Sequence, residues 1–182
     1  VTMWMWTFWL LVGVVTLTSA KLKDMGPCNY KVPADSTFNF EEYMTENKGV
    51  WTFIKLPPSK LNVKIRGMFL INKATHIPGM YNTKIYYKIT KDYILFADED
   101  VTDSLLGHAT AILRGKERTV FKITFIKYVP GRYAYYYICS DAGGDSVPHR
   151  FVIAHGRLSK TENADVNKMD LKYFPDADRL ID

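Results

Sequence analysis

The sequence predicts an all-β chain: an eight-stranded antiparallel up-and-down β-barrel, with a short N-terminal turn of helix and a short C-terminal helix or tail. Three observations lead there. Between Gly49 and Ser159, apolar and aromatic runs of about seven to ten residues recur, separated by Pro, Gly, Asn and Asp. The run at 61–71 alternates, with Leu61, Val63, Ile65, Gly67, Phe69 and Ile71 on one parity and Asn62, Lys64 and Arg66 on the other. The links between runs are short, so sequential neighbours pair antiparallel and closure removes both exposed edges.

Taken in order, residues 1–20 contain no charged side chain and end in Thr18, Ser19 and Ala20 just before Lys21. A long apolar core followed by small residues reads as a signal peptide cleaved after Ala20, although the usual positive flank is missing and a retained helix is the alternative. Residues 21–182 then form a single domain. The segment 38–44 is expected to make one helical turn, with Phe40 and Tyr43 closing an end of the structure. Strands are expected at 50–56, 61–71, 81–89, 92–98, 107–114, 119–128, 132–140 and 150–158. Turns fall at 116–117, at Pro130-Gly131 and over 142–145. From 163 to 174 a short helix is expected to place Val166 and Met169 on one side before Pro175 ends it.

Cys28 and Cys139 are the two cysteines of the chain. In an exported protein, an even count with nothing else to pair with points to one long-range disulfide; free thiols or an intermolecular bridge are the alternatives. The formal charge of +5 comes from 24 basic and 19 acidic side chains scattered among apolar ones. With no basic block, nucleic acid is not expected as a partner, and no second apolar segment implies membrane insertion.

Gly49-Val50-Trp51, following the aromatic-rich stretch 38–48, resembles the first conserved block of the lipocalin family, a Gly-x-Trp that opens the first barrel strand. Leu158-Ser159-Lys160-Thr161 resembles the family's block after the last strand, with Lys160 where arginine is usual. The resemblance implies that a basic side chain, Lys160 or its competitor Arg157, lies across Trp51 as a cation–π partner. An early cysteine joined to one in a Tyr-rich seventh strand is similar to the insect bilin-binding and apolipoprotein D-like branch, which implies a Cys28–Cys139 bridge. The chain departs from that branch in two places. Its second disulfide is missing, and Tyr128 to Tyr133 replaces the Thr-Asp-Tyr block, so the sequence reads as a divergent, arthropod-type member.

With Trp51 inward at the base, parity carries Phe53 inward, and by similar counting Phe69, Ile85, Tyr87, Phe121, Phe125, Tyr135 and Tyr137 are candidate lining residues for a ligand. Val63 and Ile65 go inward with Phe69. Such an interior suits a flat or elongated apolar molecule with one or two polar groups. The expectation is therefore an extracellular protein that binds, transports or sequesters a small hydrophobic ligand such as a pheromone, pigment or lipid. One alternative is a secreted inhibitor that binds a macromolecule through its loops, since a fold does not fix the site grafted onto it. Asp98, Glu99, Asp100 and Asp103 read as an acidic loop near the barrel mouth; recognition of an amine there gives a third reading, a scavenger of biogenic amines. His76, His108, His149 and His155 make no compact metal motif, and no catalytic signature stands out, so neither enzyme activity nor a cofactor is expected. His155 is either a cavity-facing ligand group or a packed structural histidine.

Overall fold

A computed structural model describes residues 26–59, 62–115, 118–141 and 149–182. The leader expected at 1–20 and the turns at 116–117 and 142–145 lie outside them. Eight antiparallel strands follow one another around a closed barrel: β1 (Val50–Lys55), β2 (Gly67–Ala74), β3 (Met80–Lys88), β4 (Ile94–Asp103), β5 (His108–Leu113), β6 (Thr119–Val129), β7 (Tyr133–Cys139) and β8 (His149–Ala154), with β8 pairing back onto β1. The predicted fold class and strand count hold. Helix α1 (Phe40–Thr45) precedes the barrel, and α2 (Lys160–Tyr173) follows it, longer than the sequence led us to expect. Among the described residues, no helix is long and apolar enough to cross a membrane.

Two strands depart from expectation. The run 61–71 is not one strand: Asn62–Lys64 forms a 3-10 turn, and β2 begins only at Gly67, with Met68, Leu70 and Asn72 buried against the barrel interior. The acidic run is strand rather than loop, because β4 continues to Asp103. Irregular pairing at Phe53/Lys55, Ile85/Tyr86 and Phe125/Lys127 then resets parity around the barrel; the last of these turns Tyr128 inward and Ile126 outward.

Two apolar clusters result. One lines the barrel interior; the other lies between the outer faces of β7 and β8 and helix α2, where Tyr135, Tyr137, Val152 and Val166 pack together. Helix α2 begins with a capping box, Ser159 with Glu162, and Arg132 holds the same Glu162 through two hydrogen bonds of 2.9 and 2.7 Å. Its inner face carries Asp170, which accepts a 2.7 Å hydrogen bond from Tyr135 Oη and pairs at 3.2 Å with Arg150, a guanidinium entirely out of solvent. The Cys28–Cys139 disulfide ties the segment ahead of α1 to β7 across 111 residues. On chain-entropy grounds a loop of that length is worth about 4 to 5 kcal/mol.

Candidate functional site

The floor of the barrel is built from the sequence around Gly49. Asn47, Lys48 and Gly49 all have positive φ, which turns the chain from α1 into β1. At Gly49 (φ +75°) a Cβ would sit 2.3 Å from the Asn72 carbonyl oxygen, so only glycine fits. The turn delivers Trp51 to the base, fully buried, where its indole N–H donates to the Tyr43 carbonyl at 3.1 Å. Phe38 stacks on Phe125 at 3.9 Å, and Tyr43 lies between Trp51 and Phe125. Phe40 and Tyr43 thus close this end, as the sequence implied.

The cover on Trp51 is not the expected one. His155 lies on the indole with ring centroids 3.7 Å apart, whereas Arg157 and Lys160 are exposed and Lys160 opens helix α2. The chain leaves β8 at Ala154, so His155 is the first side chain able to turn under the floor, and the basic pair lies beyond reach. Asn47 Nδ2 contacts His155 Nδ1 at 3.3 Å, and the Glu46 carboxylate is 3.7 Å from Nε2 while accepting a 3.0 Å hydrogen bond from Tyr128 Oη. His155 is therefore a packed structural histidine.

Of the expected lining residues, Phe53, Phe121 and Phe125 are buried in the interior cluster, and Ile85 and Tyr87 pack against it while partly accessible. Phe69 is a correction: it faces outward, stacked on Tyr86 at 5.1 Å and edge-on to Tyr93, because Val63 and Ile65, whose parity assigned it inward, lie ahead of β2 and do not share its pleat; within the strand Met68, Leu70 and Asn72 take the inner face. Ile65 packs only partly against the interior, and Val63 is exposed in the 3-10 turn. Tyr135 and Tyr137 are corrections of a different kind. They are buried, but beneath α2 and the N-terminal segment rather than in the barrel, with Tyr137 Oη donating to the Asn29 carbonyl at 2.9 Å. Tyr136, between them, is the interior residue. Inward side chains are buried around the floor and become partly accessible at the other end, at Tyr87, Leu113, Ile138 and Phe151. That gradient identifies the open end.

Sequence reading missed the polar center of this interior. Asn72, Thr83 and Glu99 are cross-strand neighbours on β2, β3 and β4, all buried and facing in. Thr83 Oγ1 donates to Asn72 Oδ1 at 2.7 Å, while the buried Asn72 Nδ2 turns toward the Tyr43 hydroxyl without completing a well-formed hydrogen bond. Glu99, 7% exposed, makes no side-chain hydrogen bond or ion pair among the described residues. Burial, helped by the charge of Asp98, pushes its carboxyl up to about 8. The hydroxyls of Tyr43 and Tyr136 share its surroundings, and burial raises both, followed by the Glu99 charge at Tyr43 and by Tyr43 and then Glu99 at Tyr136. The flanking acids differ: Asp98 faces Lys84 at 3.7 Å and Asp100 is gripped by Arg114 at 2.7 Å on the outer surface. The signal available in the sequence was three consecutive acids, of which a strand must turn one the other way.

An apolar barrel with one unpaired buried carboxyl, one unsatisfied amide N–H and two phenols can enclose an elongated apolar molecule and fix one polar, hydrogen-bond-donating or cationic end. Among the described residues, no group of three His, Cys, Asp or Glu side chains is placed to hold a metal ion.

No family model matches the chain, and no curated protein does. Solved structures do. The amine binding protein of Rhodnius prolixus, in its tryptamine complex, superposes with a TM-score of 0.62 at 15% identity, over 86% of this chain and 85% of that one. Insecticyanin from the tobacco hornworm Manduca sexta gives 0.61 at 13% identity, over 86% and 85%. The cockroach allergen Per a 4 gives 0.60 at 12% identity, over 83% and 88%. At these identities the likeness is one of fold alone, and the fold is the eight-stranded barrel of the lipocalins.

Proposed function

We propose that the protein is an extracellular carrier that sequesters a small, mainly hydrophobic ligand in its barrel. The observation that carries this reading is the interior itself: apolar walls, a floor sealed by stacked rings, and inward residues that become accessible toward one end around an unsatisfied polar cluster. Binding removes apolar ligand area from water, worth about 25 cal/mol per Å2, and the polar cluster sets orientation. Phe53, Ile85, Tyr87, Phe121 and Phe125 supply the walls. No covalent step is involved. Native mass spectrometry of protein recovered from the medium of eukaryotic cells, compared with its denatured mass, tests it. A retained molecule of defined mass supports the carrier. No adduct, and no uptake from a panel of hydrophobic compounds, would move the reading to a loop-binding inhibitor.

Glu99 favours a second, narrower reading: the cargo carries a basic nitrogen, as tryptamine does in the Rhodnius structure. An ammonium group would supply the charge that the buried carboxyl lacks. Titration calorimetry with tryptamine, beside an uncharged indole of similar size, separates the two. A preference for the amine that disappears in Glu99→Gln supports a cationic cargo; equal affinities leave only the apolar carrier.

A further inference from the structure

The open end carries a surface that ligand capture does not require. Between Asn47 and Lys91 the chain has no acidic residue. Much of the basic excess gathers where the β1–β2 link meets the β3–β4 hairpin. Arg66 N–H donates to the Lys88 carbonyl at 2.9 Å, a Cβ at Gly67 would touch the Tyr93 hydroxyl at 3.0 Å, and the Lys88 ammonium lies 4.9 Å over the Tyr93 ring. Lys64, Arg66 and Lys91 have no carboxylate partner among the described residues, and Asp92 is the one acid between Asn62 and Phe96.

Interleaved with these charges are large apolar side chains left in water: Val63 at 65% exposure, Tyr93 at 46%, Ile94 at 53% and Leu95 at 48%. A solvated strand end has no use for three such residues in a row, so the patch fits a partner that is both apolar and anionic. An acidic patch lies at the opposite end. Helix α1 and the turn after it present Glu41, Glu42 and Glu46 against Lys48 alone.

We propose that the open end docks on an anionic lipid surface. Val63, Tyr93, Ile94 and Leu95 enter the headgroup layer, and Lys64, Arg66, Lys88 and Lys91 meet the lipid phosphates and carboxylates from stems laid along the apolar side chains. Docked this way, the mouth faces the acyl region, and an apolar cargo passes between bilayer and barrel without crossing water. The docking does not depend on which ligand the barrel holds.

The test is vesicle flotation of protein secreted from cells expressing the full chain, against phosphatidylcholine alone and phosphatidylcholine mixed with phosphatidylserine. Parent and variants share whatever N-terminus the cells leave, so its contribution cancels in the comparison. The parent should partition onto the mixed vesicles at least about tenfold better, and less well as salt rises. Lys64→Glu with Lys91→Glu should lower that partition about twentyfold or more, and Ile94→Ser with Leu95→Ser about tenfold. Leu171→Ser, an exposed apolar position on α2, should leave it unchanged. All of these sites are exposed, so each variant should melt with the parent. Equal partition onto both vesicle types, parental partition by the mouth variants, or failure to bind vesicles while capturing an acidic protein would overturn the proposal.

Discussion

Removing the charge at position 99 gives a prediction with a worked magnitude. The Glu99 carboxyl rises from an ordinary 4.5 to about 8 because burial, with Asp98 nearby, disfavours its ionised form. Between those values the native state keeps a proton that the unfolded chain has released. With a raised native pKa, the contribution to stability is full below about 4.5 and is lost as pH climbs through about 8. One pKa unit is worth about 1.4 kcal/mol, so the loss between about pH 5 and pH 8 is about 3 to 4 kcal/mol. Gln at 99 is neutral throughout and escapes it. Urea unfolding of the parent and of Glu99→Gln across that range is the assay. The stability of the variant minus that of the parent should be flat in acid and rise by about 3 to 4 kcal/mol toward about pH 8, on the order of 10 °C in melting temperature. Other titrating groups are common to both proteins and cancel, as does any constant penalty for burying an amide. A cationic ligand should stabilise the parent more than the variant at the alkaline end, while an uncharged analogue should stabilise both alike. A difference that stays flat or falls with pH would refute the placement of an ionisable, unpaired carboxyl inside the barrel.

Three further outcomes follow from the packing. Gly49→Ala forces a side chain onto the Asn72 carbonyl at positive φ and should cost about 2 to 4 kcal/mol, read by denaturant unfolding. His155→Ala removes the ring over Trp51 and should cost about 1 to 2 kcal/mol; Trp51 emission should change with it, while Lys160→Ala should leave both the emission and the stability as they were. The paired change Cys28→Ser with Cys139→Ser should lower stability by about 2 to 5 kcal/mol, with the reduced parent matching it in the same unfolding assay.

The barrel was legible because most strands keep one wet face: β3 and β5 alternate much as their sequence does, and Phe53, Phe121 and Phe125 follow by simple parity. Legibility failed where a second partner covers the outer face. On β7 the outer tyrosines sit under α2, all but one of the seven residues are buried, and period two vanishes, so counting could not tell Tyr136 from Tyr135 and Tyr137. It failed on β2 for another reason. The apolar parity at Val63 and Ile65 runs through a 3-10 turn and the link after it, and the strand that follows is apolar on both faces, with Phe69 shielded by Tyr86 and Tyr93. Glu99 was hidden by its neighbours, since three acids in succession look like a solvated loop until Lys84 and Arg114 claim the outer two across the strands.

The ring-packed floor has a kinetic consequence. Phe38, Tyr43, Trp51, Phe125 and Tyr128 are stacked or lie edge to face in one continuous layer, so passage through the floor would require unstacking several rings at once. A vessel sealed in this way fills and empties through the same door. How tightly cargo is held is then a property of the wall, but how long it stays is also a property of the rim. Changes in the interior should move the equilibrium, whereas changes at the rim should speed or slow loading and unloading together and leave the equilibrium where it was.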